Sequence, residues 1–124
     1  MKEPNRIGLT SEADAYLEEL LKHLNPPKGA GVKLIKFDLY RLAVALGIKK
    51  GKIPPPLNDK RVPNLKVFEL DQEGVFRIAL ESSGIVPKDM FIYDVIERMA
   101  EQGIREFYNA YQQTGEIPLE EYLG

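Results

Sequence analysis

FDLYRLAVALG, residues 37–47, is the stretch that decides the fold, because Phe37, Leu39, Tyr40, Leu42, Ala43, Val44, Ala45 and Leu46 together cover most of a helix circumference. A helix that is apolar nearly all round must be covered on several sides, by its own chain or by a partner. It therefore predicts a mainly α structure with this helix at its centre. Gly47 reads as the residue just past its end, with Ile48 supplying the apolar contact that follows such a cap. Lys49, Lys50 and Lys52 follow, where they complement the negative end of the helix dipole.

On the N-terminal side, Arg6 to Leu9 is a short strand candidate with Ile7 and Leu9 on one face and Arg6 and Gly8 on the other. Thr10 and Ser11 offer an N-cap, and Glu12 and Asp14 form an acidic first turn. Ala13, Leu17, Leu20, Leu21 and Leu24 then line one stripe of a helix that Asn25, Pro26 and Pro27 end. On the C-terminal side, Ile53 to Asn64 holds four prolines and reads as a stiff connector. Lys66 to Glu69 is a second strand candidate. Asp71 is placed to cap a helix that runs to about Ser83 and buries Val75, Phe76, Ala79 and Leu80. Pro87 opens a long amphipathic helix with Asp89 in its first turn. Its apolar face rotates at Gly103, which predicts a kink or a close helix contact there. Thr114, Gly115 and Pro118 end it before a terminal LEEYL turn.

These elements predict one domain over residues 1–124, a compact bundle of four to five helices with one or two short strands. It divides into a basic part (1–52), the proline-rich connector (53–64) and an acidic helical part (65–124). Residues 1–66 carry thirteen Lys and Arg against seven Asp and Glu, whereas residues 67–124 carry four against twelve. The formal net charge of −2 thus hides a basic half suited to a polyanion and an acidic half that is not. With no cysteine there is no disulfide framework and no thiolate metal site. Lys2, Glu3, Asn5 and Arg6 stand where a secretory signal would place its apolar stretch, and no apolar run reaches membrane-spanning length, so a cytoplasmic location without membrane contact is expected.

Catalytic chemistry is not expected. His23 is the single histidine, which removes His–His metal pairs and leaves a nucleophile without an obvious base. The acids Glu18/Glu19, Asp94/Glu97/Glu101 and Glu120/Glu121 are spaced as solvated helix faces are, and no metal or cofactor signature is present. Lys28-Gly29-Ala30-Gly31-Val32-Lys33 lacks the spacing of a phosphate loop. The candidate contact residues are cations: Arg6, Lys33, Lys36, Lys49, Lys50, Lys52, Lys60 and Arg61, with Lys28 beside them. Gathered on one surface they would neutralise DNA phosphates. They equally suit docking against an acidic face of a partner or of a second copy in a homo-oligomer.

Pro4-Asn5-Arg6-Ile7-Gly8-Leu9-Thr10-Ser11-Glu12-Ala13 resembles the opening of ribbon-helix-helix proteins and the start of the small subunit of DNA phosphorothioation (Dnd) systems. Lys36-Phe37-Asp38, with the run from Leu42 to Gly51, is similar to the A-A-A-L-G-x-K-x-G stretch of small accessory proteins encoded beside those systems. Val67-Phe68-Glu69 and Phe76-Arg77-Ile78-Ala79-Leu80-Glu81 fit the same family. The resemblance implies a non-catalytic accessory protein of a DNA modification and defence locus that binds DNA, subunits of that system, or both. It also implies a two-chain ribbon with Arg6 and Gly8 outward and Ile7 and Leu9 beneath. Gly8 offers no side chain for reading bases and the connector from Asn25 to Ile35 is long for that motif. Phosphate contact near the start of the Phe37 helix, through Lys33 and Lys36, fits the chain better.

Overall fold

The computed structural model describes residues 5–25, 34–58 and 61–117. Among them the order is β1 (Arg6–Thr10), α1 (Ser11–Leu24), α2 (Lys36–Lys50), β2 (Arg61–Lys66), α3 (Val67–Leu70), α4 (Val75–Ser83) and α5 (Ile92–Thr114). The fold is mainly helical with one small antiparallel sheet, as the periodicity predicts. The terminal LEEYL segment, Pro118 and Lys28 lie outside the described residues.

α1 begins as its sequence requires: the Thr10 hydroxyl accepts from the Ala13 amide, and Ala13, Leu17 and Leu20 are buried. At its other end Asn25 closes the turn and reaches across to the next segment. Its side-chain amide donates to the Leu34 carbonyl at 2.7 Å and its Oδ1 accepts from the Leu34 amide at 2.9 Å.

α2 is longer than the sequence reading gives it. It runs through Gly47 and ends at Gly51, whose φ of 69° is the left-handed conformation that glycine adopts at no steric cost. Gly47 is helical, and its missing Cβ is what lets Met99 of α5 approach: a Cβ there would lie 2.6 Å from the Met99 side chain. Lys49 and Lys50 therefore belong to the last turn of α2. As its composition demands, α2 is covered on several sides, by α1, α4 and α5, and Leu39, Tyr40, Ala43, Val44 and Leu46 are buried.

α5 is the spine. It packs against α1, α2, α4 and β1, and its buried residues run from Tyr93 to Phe107. It starts at Ile92, after a turn in which the Met90 amide donates to the Pro87 carbonyl, so Asp94 rather than Asp89 lies in its first turn. The helix continues unbroken through Gly103, where the two alternatives read from the sequence resolve as a close contact. A Cβ on Gly103 would lie 2.6 Å from the Ala43 Cβ, 2.7 Å from its Cα and 2.9 Å from its carbonyl oxygen.

β1 pairs antiparallel with β2 in register Arg6↔Lys66, Ile7↔Leu65, Leu9↔Val62 and Thr10↔Arg61, with an irregularity between Ile7 and Leu9. This replaces the two-chain ribbon with a pairing inside one chain. It also corrects the second strand, which occupies residues 61–66 rather than 66–69. Pairing stops where β1 begins: Arg6 meets Lys66, the Val67 amide donates to the Asn5 carbonyl, and Val67–Leu70 turns into a helix. Pro63 fits within β2 because that strand uses only one of its edges in this two-stranded sheet. Gly8, expected on an exposed side, is buried.

Gly103→Ala should lower stability by about 1–3 kcal/mol through overpacking of the α2/α5 contact. Adding Ala43→Gly should not restore it, because the Ala43 Cα and carbonyl are as close as its methyl. Urea unfolding followed by circular dichroism measures both.

Candidate functional site

Of the eight candidate cations, Lys36 stands in the first turn of α2 and Lys49 and Lys50 in its last, at opposite ends of that helix. Lys33 and Lys60 lie outside the described residues. Arg61 pairs through its backbone with Thr10, and Arg6 is exposed at the far end of the same strand. Lys36, in the first turn of α2, sits 3.1 Å from a Glu18 carboxylate oxygen and 3.4 Å from one of Asp14. Partial burial pulls its ammonium down, but the Glu18 hydrogen bond and the Asp14 charge outweigh that and raise it overall. Lys50, fourteen residues later and about 21 Å away along the helix axis, pairs with Glu106 of α5. Lys49 and Lys52 are exposed at that same end. There, residues 50–55 and α5 flank a cleft of about 580 Å³ whose walls include Ile53, Pro54, Pro55 and Gln102.

The carboxylates depart from the sequence reading more than the cations do. Glu97 and Glu101, expected on a solvated face, are 3% and 8% exposed. Glu97 Oε2 accepts from the Gly8 amide at 2.8 Å, and Glu101 Oε1 accepts from the Thr10 amide at 3.0 Å. The Thr10 hydroxyl donates to Glu101 Oε2 at 2.9 Å, and Arg105 Nε donates to the same oxygen at 2.7 Å. Tyr40 completes the set, its hydroxyl donating to the Gly8 carbonyl at 3.0 Å. Burial, reinforced by the charges of Glu97 and Glu101, pushes the Tyr40 phenol well up. These groups satisfy one another and hold the strand, which gives the carboxylates a structural task. Their buried position had one legible signal: Glu97 follows Tyr93 by four residues and precedes Ala100 by three, inside the apolar arc of α5.

His23 is exposed, as its flanking position predicts, with its ring 4.8 Å from that of Tyr111. Among the described residues, no group of three or more His, Asp or Glu side chains is placed to hold a metal ion. Nor is any described helix long and apolar enough to cross a membrane.

What the sequence reading missed is an exposed apolar surface on α3 and α4. Phe68 is 77% exposed, Val75 59% and Ile78 60%. Val75 and Ile78, three residues apart, share the outer face of α4. The sequence reading buries Val75, yet Leu80 is the buried residue of this helix, with Phe76 packed part-way against the core. The surface is held firmly from beneath. Asp71 accepts from the Phe76 and Arg77 amides at 3.0 and 3.1 Å, so it caps α4 as expected, although the helix starts after Gly74. The Tyr93 hydroxyl donates to the same carboxylate at 3.2 Å, tying α4 to α5. Arg41 of α2 donates to the Leu70 and Glu69 carbonyls at 3.0 and 2.9 Å, fixing the end of α3.

No protein-family description, curated protein or solved structure matches this chain.

Two outcomes test the carboxylate contacts. Glu97→Leu, which leaves the Gly8 amide buried without an acceptor, should cost about 1–3 kcal/mol, and Glu97→Gln, which keeps an acceptor, clearly less. The second concerns alkaline pH. An unfolded tyrosine ionises near pH 10, so the stability from the raised Tyr40 is complete below that pH and is lost as pH rises toward the folded value. Tyr40→Phe should be less stable than the parent in urea at pH 8, and the gap should narrow by pH 11.

Proposed function

We propose that this chain is a non-catalytic accessory protein that works by binding a partner protein. The observation that carries this reading is the exposure of Phe68, Val75 and Ile78 on a rigidly supported part of the fold. Val75 and Ile78 share one outer face of α4, and apolar strips exposed in this way mark contact sites. The charge pattern points the same way. Lys36 and Lys50 are engaged with Asp14, Glu18 and Glu106 of their own chain, and these two lysines stand at opposite ends of α2. Exposed Lys49, Lys52 and Arg6 are the described candidate cations through which direct DNA contact would run.

The resemblance to accessory proteins of phosphorothioation systems supplies a setting in which such a subunit would act beside a DNA-modifying machine. In that setting the chain would dock onto a protein subunit and leave the nucleic acid to its partner.

Fluorescence anisotropy with a labelled duplex across a salt series tests the choice. Binding no tighter than about 1 µM at physiological salt, in the range of non-specific association, and indifferent to Lys49→Ala/Lys50→Ala/Lys52→Ala, is the expected result. Tight binding with a steep salt dependence that the triple substitution flattens would transfer the function to DNA phosphates.

A further inference from the structure

Resting on that reading, we infer that the α3–α4 surface receives an amphipathic helix with basic flanks. The surface has an apolar centre and an acidic rim. Glu69, Glu73 and Glu81 are all exposed and stand within three residues of Phe68, Val75 or Ile78 in sequence. Over residues 67–83 there are four carboxylates to one guanidinium. That guanidinium is engaged internally, because Arg77 Nε lies 3.0 Å from Glu81 and its charge sits 5.5 Å above the Tyr93 ring. Buried Asp71 is spent on the α4 amides and Tyr93, which leaves Glu69 and Glu73 to set the field at the rim.

The chemistry of the occupant follows. Its apolar side must cover Val75 and Ile78, which form a ridge on α4 of the kind that packs into the groove of an opposing helix. α4 has nine residues and is about 13 Å long, room for two to three turns of partner. Its flanks must carry lysine or arginine, since charge of the opposite sign steers docking and like charge opposes it. A second copy of this chain meeting the surface through a two-fold axis would bring the glutamate rims together. Self-pairing is disfavoured for that reason.

The test uses the full chain and three labelled 14-residue helical peptides with one leucine face, flanked by lysine, by glutamine or by glutamate. Fluorescence anisotropy should show the Leu/Lys peptide binding at least tenfold more tightly than the Leu/Glu peptide. Val75→Ser/Ile78→Ser, both at exposed positions, should weaken it at least tenfold with the circular dichroism spectrum unchanged. Glu69→Gln/Glu73→Gln should weaken it several-fold, and Glu116→Gln, remote from the surface, should not. If the Leu/Gln or Leu/Glu peptide binds as tightly and depends on Ile78, the surface is a docking site and the basic partner is wrong. If the Leu/Lys peptide binds but ignores Val75→Ser/Ile78→Ser, the attraction is general and the inference is overturned. A concentration-dependent dimer in light scattering that Ile78→Ser abolishes would replace the basic helix with a second copy. Absence of binding by all three peptides, with no such dimer, would sink the docking reading as well.

Discussion

Two carboxylates four residues apart on one helix hold two amides two residues apart on one strand, and the rest of the structure depends on that match. Four residues of α-helix rise about 6 Å, and two residues of β-strand about 6.6–6.8 Å. Glu97 and Glu101 therefore address Gly8 and Thr10 without either element bending. Backbone groups along a strand point alternately to its two edges. β1 spends one edge on β2 and offers the other to α5, with Tyr40 taking the Gly8 carbonyl. In place of a third strand stands a pair of side chains. That arrangement covers the edge on which a second chain could add a strand, and it sets the height of α5 against α2, where Gly47 and Gly103 allow their closest approach.

The charge polarity of the chain acquires a different meaning in this frame. Basic and acidic halves meet within the molecule at Lys50 and Glu106 and again where Arg105 reaches Glu12. These pairs are partly exposed, and pairs of that kind contribute little stability each. Their effect is on what is left over. Several described cations are drawn into internal pairs, while Glu69 and Glu73 stay exposed beside α3 and α4.

Much of this was legible in the sequence where local rules and tertiary demands agree. The α1 cap and stripe, the engulfed α2 and the tight spot at Gly103 all follow from periodicity and residue size. The misreadings share one cause: a local pattern had two physical solutions and a distant segment chose between them. Gly47 is a sound terminator until Met99 packs on it, and the helix runs on to the next glycine. Glu97 and Glu101 have the spacing of a solvated face, yet amides some ninety residues away claim them. Val75 and Ile78 belong to an amphipathic helix so short that either side of its apolar arc can turn inward, and Leu80 with Phe76 takes the core.

The contact between β1 and α5 also joins residues 89 and 91 positions apart. At roughly 5–20 residues per second of translation, about 4–18 s separate the emergence of Gly8 from that of Glu97. For the first part of that interval, until β2 is made dozens of residues later, the ribosome presents a strand with neither edge satisfied. β1 is thus made before the other elements described and is among the last to be secured, and that interval of synthesis is the one in which a chaperone has most to protect.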